Sequence, residues 1–298
     1  SSSSALVVAV FTALAEWNRL RERPAWRDAI RSCEELAGYL GVVENGSDFR
    51  SLTGGKGVGT FGGSEDHAAI LCGRPGSLSL YSFCPVRLEN AVRLPEDFVF
   101  VIGGSGVVAE KTGAARELYN RASLATQAIL GLWRSATGRA DATLADAVRS
   151  APGAAERIRE ILRGSSHPSL AGGELLARFE QFHDESERII PAAAQALAQG
   201  DFTALGELAA RSQSDAERGL GNQVPETIEL VRSARKLGAV AASAFGAGFG
   251  GSVWALVRAS DTVAFREEWM TMYRRKFPAV AAGEFFATGA GPARCELS

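Results

Sequence analysis

The residues best suited to chemistry lie in Gly54-Gly55-Lys56-Gly57-Val58-Gly59-Thr60-Phe61-Gly62-Gly63-Ser64-Glu65-Asp66-His67, where glycine is the commonest residue. Such density lets a backbone take positive φ and approach a ligand closely, at an entropic cost that packing alone seldom repays. The apolar run Ala68-Ala69-Ile70-Leu71-Cys72 follows. Ser64 is therefore predicted to cap a helix whose first turn holds Glu65 and Asp66. One reading is a carboxylate base held at the end of a ligand-facing loop. The plainer one is a flexible surface loop before a well-capped helix.

Two further stretches offer anion-binding chemistry. Ser1-Ser2-Ser3-Ser4 runs directly into Ala5-Leu6-Val7-Val8-Ala9-Val10-Phe11-Thr12-Ala13-Leu14-Ala15. Read as the start of a helix, it presents free backbone N–H groups, and its hydroxyls add ligands for phosphate or Mg²⁺. The competing reading, a secretory apolar region with Ala13-Leu14-Ala15 as its cleavage site, lacks a basic segment in front. A helix buried almost all round is preferred, and such a helix with nothing ahead of it is expected to belong to a fragment. The third stretch is Phe245-Gly246-Ala247-Gly248-Phe249-Gly250-Gly251-Ser252.

Both glycine stretches fit G-x-G-x-x-G, at Gly57/Gly59/Gly62 and Gly246/Gly248/Gly251. A dinucleotide fingerprint needs a strand before the glycines and a helix after them. The first is read with no strand before it, and the second as helix before and strand after, so a Rossmann dehydrogenase is not favoured. No G-x-x-x-x-G-K-[ST] occurs either.

The elements that must position these residues divide the chain in two. A helix is expected over Pro24–Leu40, a short one from Asp66, and strands over Leu78–Phe83 and Phe98–Ile102. Long helices are expected over Glu110–Ala136, Ala154–Arg163, Gly173–Gln199, Phe202–Arg218 and Pro225–Ala242. A strand over Val253–Val257, a helix over Asp261–Phe277 and a strand over Glu284–Thr288 complete the pattern.

Composition sets the class. The 298 residues are long enough for two lobes, and 46% hydrophobic with 22% charged describes an ordinary globular protein. A net charge of −2 without a long basic run argues against a nucleic-acid or anionic-membrane surface. Cys33, Cys72, Cys84 and Cys295 show no CxxC pair and no metal-ligand spacing, so reduced thiols are expected and a structural zinc site is not. Asn45-Gly46-Ser47 is a glycosylation sequon without a secretory context.

Taken together, the serine-rich helix start, the glycine loop ending in aspartate and the late glycine loop resemble a GHMP kinase, and within that superfamily the galactokinase branch. Ser2-Ser3-Ser4-Ala5 resembles the end of P-x-G-x-G-L-S-S-S-A. Gly63-Ser64-Glu65-Asp66-His67 resembles G-I-M-D-Q, and Phe245–Ser252 resembles T-G-G-G-F-G-G-C. Glu117-Leu118-Tyr119-Asn120-Arg121 is similar to E-Y-x-x-R, with the tyrosine displaced by one position. Asn222-Gln223-Val224-Pro225-Glu226 resembles the stretch before the family's penultimate helix. The family's first motif, R-x-N-L-I-G-E-H-x-D-Y, is absent, and His67 stands where glutamine is usual. The run Gly57–His67 is closer to proteins related to L-arabinokinases and sugar-acid kinases.

The resemblance implies an α+β, two-lobed fold, with an incomplete ribosomal protein S5 domain 2-like lobe over residues 1–104 and a ferredoxin-like lobe over 105–298. It implies transfer of the γ-phosphoryl of ATP, with Mg²⁺, to a galactose-like monosaccharide, at the anomeric hydroxyl. Asp66 would be the base. Ser2, Ser3, Ser4, Gly246, Gly248, Gly250 and Gly251 would hold ATP phosphates. Gly63, Asp66, His67 and Tyr119 would face the sugar, and Ser4 with Glu44 would hold the metal, Glu34 and Glu35 being rivals of Glu44. A cytoplasmic monomer or homodimer acting on small molecules is implied. L-arabinokinase or galacturonokinase activity, a sugar- and ATP-binding sensor without turnover, and another branch acting on mevalonate-type or homoserine substrates are the competing readings.

Overall fold

The computed structural model describes residues 2–108, 114–168, 170–246, 248–280 and 283–291, with only the backbone described for Ser2, residues 114–116 and Leu118. Ser1, the start of the helix expected from Glu110, Ala247 and Cys295 lie outside the described residues. The chain forms two compact units, Ser1–Pro95 with Ala290–Ser298, and Glu96–Gly289.

The first unit holds helices α1 (Ser2–Trp17), α2 (Pro24–Ala29), α3 (Cys33–Asn45) and α4 (Glu65–Cys72), then strands β1 (Ser77–Phe83) and β2 (Val86–Arg93). The single helix expected over Pro24–Leu40 is two. Ile30 is extended at φ −130°, and Ser32 starts α3 by accepting a hydrogen bond from the Glu35 N–H. Local capping thus overrides a continuous apolar spacing. β1 and β2 form an antiparallel hairpin with a register shift between Leu80 and Tyr81.

The core of this unit gathers Val8, Leu36, Ala37, Leu40, Ala68 and Leu71. It takes only one face of α1. Leu6 is 65% exposed, Leu14 52% and Trp17 87%, so the expectation of a helix buried almost all round is overturned. Apolar residues on every face do not guarantee a neighbour on every face.

The second unit begins with β3 (Phe98–Gly104) and continues through α5 (Ala114–Thr137), α6 (Leu144–Arg149), α7 (Ala154–Gly164), α8 (Gly172–Asp184), α9 (Ile190–Gln199), α10 (Phe202–Asp215) and α11 (Pro225–Lys236). β4 (Ala241–Ala244), β5 (Ser252–Arg258), α12 (Thr262–Lys276) and β6 (Phe285–Thr288) follow. The sheet order is β4-β5-β3-β6, antiparallel throughout. With helices between β3 and β4 and between β5 and β6, this is the ferredoxin-like β-α-β-β-α-β arrangement. The division between units falls before β3, not after Gly104 as expected, because every residue of β3 pairs with β5.

Trp269, Tyr273, Leu230 and Val253 are buried in one core of this unit, and Ile129, Ile158, Leu175 and Phe179 in a second, wholly helical one. Two π-helical turns, Glu185–Ile189 and Ala216–Leu220, interrupt what the sequence reads as unbroken helices. The helix expected to run to Ala242 stops at Lys236, and Ala241–Ala244 is a strand paired with β5. Among the described residues no helix is long and apolar enough to cross a membrane.

Candidate functional site

In the first unit the chemistry converges on the start of α4. Ser64 occupies the N-cap position but makes no side-chain cap hydrogen bond, contrary to expectation. It is buried against α3, where a Cβ on Gly41 would come within 3.0 Å of Ser64 Cβ. That close approach needs glycine at 41 and sets how near α4 begins to α3. Asp66 is half-buried in the first turn of the helix, and Ser4 Oγ donates a hydrogen bond to its Oδ2 at 3.3 Å. The buried hydroxyl at the start of α1 therefore rests on the carboxylate at the start of α4. Ser3 is exposed on the same first turn, and the side chain of Ser2 lies outside the described residues.

Glu44 stands near the end of α3. Its Oε1 lies 3.8 Å from Nε2 of His67, which is fully buried. His67, expected against the substrate, thus faces a carboxylate inside the unit. The first glycine loop is fastened to the same helix end. Val58 N–H donates to the Glu44 carbonyl at 2.8 Å, and Asn45 Nδ2 donates to the Gly62 carbonyl at 2.9 Å. Gly57 has φ +65°, and a Cβ there would stand 2.5 Å from the Gly46 nitrogen. Gly63 is exposed, and a Cβ on it would lie 2.9 Å from the Phe83 ring. Glu35, a rival of Glu44, is committed to Arg50. Glu34, the other rival, bonds Cys33.

In the second unit the late glycine loop connects β4 to β5, a strand before it instead of the expected helix. Phe249 N–H donates to the Asn222 carbonyl at 2.5 Å, and Gly251 N–H donates to the Val107 carbonyl at 2.9 Å. Two amides of the loop, one of them that of Gly251, expected to hold ATP phosphate, are therefore committed to protein. Gly248 and Gly250 have φ +77° and +128°, and Cβ atoms on them would meet Asn222 O at 2.1 Å and Val107 O at 2.6 Å. Gly246 has φ +52° and open space around it.

Buried side chains steady this loop from below. Gln213 Oε1 accepts hydrogen bonds from Ser243 Oγ at 3.1 Å and Ala244 N at 2.9 Å. The Tyr273 hydroxyl donates to the Ser105 carbonyl at 2.6 Å, while Ser105 N–H donates to the Gly251 carbonyl at 2.9 Å. Burial pushes the Tyr273 phenol up to about 12, with Glu226 adding to it. Nothing in the residue spacing pointed to Gln213 or Tyr273 as supports. Tyr119 is half-buried on α5, and nearby Arg121 makes a two-pronged ion pair with Glu174 of α8.

Comparison with known proteins agrees with this architecture. Residues 193–274 match the family described as GHMP kinases C terminal. The fold is shared with the galactokinase of Lactococcus lactis, solved in complex with galactose. That likeness has a TM-score of 0.65 at 21% identity, covering 89% of this chain and 66% of that one. A mevalonate kinase from L. major, solved with R-mevalonate, is similar at a TM-score of 0.49 and 20% identity, over 98% of this chain and 66% of the other. The chain spans 66% of the length of each of these structures. No curated protein sequence matches it. The likeness to GHMP kinases thus rests on residues 193–274 and on the shared fold. The chain's fold is galactokinase-like, the α+β arrangement that the resemblance implied.

Proposed function

We propose that this chain belongs to an ATP-dependent sugar kinase that phosphorylates a galactose-like monosaccharide at its anomeric hydroxyl. The observation that carries the reading is the hydrogen bond from Ser4 to Asp66. It joins the first turn of a helix, where anions bind, to the carboxylate that resembles the family's base.

The residues present suit the ligands that such a reaction requires. Ser4 and Glu44 offer hard oxygen donors of the kind Mg²⁺ takes. A bound Mg²⁺ would neutralise phosphate charge. Ser2, Ser3 and Ser4 would hold ATP phosphates at the helix start. Within the late glycine loop, a phosphate would fall to the amides of Gly246, Gly248 and Gly250, because those of Phe249 and Gly251 are already used. Asp66 takes the proton from the sugar hydroxyl as its oxygen attacks the γ-phosphorus; phosphoryl transfer needs little more from protein than this, positioning and charge neutralisation. Gly63 would line the sugar, and buried His67 would orient Glu44. A cytoplasmic place, with ATP and reduced thiols, suits this chemistry.

Asp66→Asn in the complete protein tests the reading. Turnover should fall at least about 10²-fold while ATP binding persists, the contribution usual for a positioned base. ADP release measured with galactose, L-arabinose and galacturonate identifies the acceptor. Near-wild-type turnover in Asp66→Asn would overturn the base assignment. ATP binding without ADP release on any of the three sugars would replace the kinase with a sensor.

A further inference from the structure

The helices α3 and α4 pack on one another, and only one end of the pair carries the oxygen and imidazole groups discussed above. At the other end Cys33, the first residue of α3, meets Cys72, the last residue of α4. Cys33 Sγ donates to Glu34 Oε2 at 3.3 Å, and the Cys72 sulfur lies alongside. The three ligand atoms lie within 4.8 Å of one another, with Cys72 buried and Cys33 and Glu34 half-buried. Among the described residues this is the group of histidine, cysteine and carboxylate side chains that converges in this way. Two ligands on one tetrahedral ion at about 2.3 Å stand about 3.8 Å apart, which small side-chain rotations would reach here.

We infer that Cys33, Glu34 and Cys72 form a binding site for a thiophilic divalent cation of the Zn²⁺ class. Two sulfurs and one oxygen suit that class, whereas Mg²⁺ prefers oxygen donors alone. The three protein ligands leave a fourth position for water. The surroundings hold the ligands in place. The Tyr81 hydroxyl donates to the Cys72 carbonyl at 2.9 Å, and Ser32 Oγ caps the start of α3 by accepting from the Glu35 N–H at 3.2 Å. Without metal, the Cys33 thiol proton lies between Sγ and Glu34 Oε2. Binding replaces it: the cation and two thiols give a dithiolate complex and two protons released to solvent. Cys33 lies about 16 Å along α3 from Glu44, so this site is separate from the Mg²⁺ position proposed there.

Co²⁺ titration of the reduced, metal-free protein tests the inference through thiolate-to-cobalt charge-transfer absorption, followed by competition with Zn²⁺. A Cys84→Ser/Cys295→Ser variant, which keeps only the Cys33–Cys72 pair, should retain the band and the Zn²⁺ affinity. Cys33→Ser should lose the band and bind Zn²⁺ more than about 100-fold more weakly, beyond the effect of changing an outer-shell partner. Glu34→Gln should weaken binding at least about 10-fold. Bound Zn²⁺ should also raise the melting temperature of wild type but not of Cys33→Ser. Should Cys72→Ser fail to fold, Cys33→Ser, at a half-buried position, still decides the matter. A band that survives in Cys33→Ser, or one that never forms in wild type, overturns the site.

Discussion

The two glycine-rich loops share a sequence pattern and differ in what their glycines touch. In the first, Gly54 and Gly57 press backbone against backbone at the end of α3, and the loop's hydrogen bonds go to Glu44 and Asn45. In the second, Gly248 and Gly250 let the β4–β5 connection pass close to Asn222 and Val107. One loop backs a carboxylate; the other holds a turn between strands. G-x-G-x-x-G therefore reports that a backbone must come close to something, and the flanking elements decide to what.

Alanine substitutions separate these roles, and the largest effect belongs to the second loop. Gly248→Ala combines a left-handed backbone with a Cβ 2.1 Å from the Asn222 oxygen. It should cost at least about 3 kcal/mol in urea unfolding. A variant as stable as wild type would show that the contact with Asn222 is not required. Gly57→Ala, at φ +65° and 2.5 Å from Gly46 N, should cost about 2 kcal/mol. Because Gly57 neighbours the residue bonded to Glu44, turnover should fall further than the loss of folded protein explains.

The third effect is confined to the second loop. Tyr273→Phe removes the hydrogen bond beneath Ser105 and should cost about 1 kcal/mol. It also removes a pH dependence. The phenol is raised in the folded protein to about 12 from an unfolded value near 10, so its contribution is complete below about 10. That contribution is lost as pH rises towards about 12, since the unfolded chain gives up the proton first. Wild type should therefore lose stability in this range and Tyr273→Phe should lose less, as alkaline unfolding curves would show. Gly55→Ala is the smallest change. A Cβ there meets nothing within 4 Å, so stability should shift by no more than about 0.5 kcal/mol.

The sequence made the long helices and the central strands legible because their apolar spacing is strong, as in α7 and β5. It also placed Asp66 in the first turn of a helix and both glycine loops at element boundaries. Other elements were hidden for identifiable reasons. β2 carries Arg87, Glu89, Asn90 and Arg93 among its apolar residues and so resembles a solvated turn, yet it pairs along β1. β4 is Ala241-Ala242-Ser243-Ala244, a good helix composition that tertiary pairing with β5 overrides. The Cys33–Cys72 meeting could not be read from spacing, since it arises only when α3 and α4 pack together. The burial of His67 was hidden likewise, its neighbour Glu44 coming from another helix.

The ring of Phe83 over Gly63 places the tip of the β1–β2 hairpin against the loop that leads to Asp66. Cys84, next in the chain, is exposed, while Cys33 is half-buried and Cys72 buried. A maleimide dye attached at Cys84 would sit beside that ring, where any shift of Gly63 on addition of a candidate ligand would change the dye's surroundings. Ligand occupancy could then be followed as fluorescence, without waiting for product.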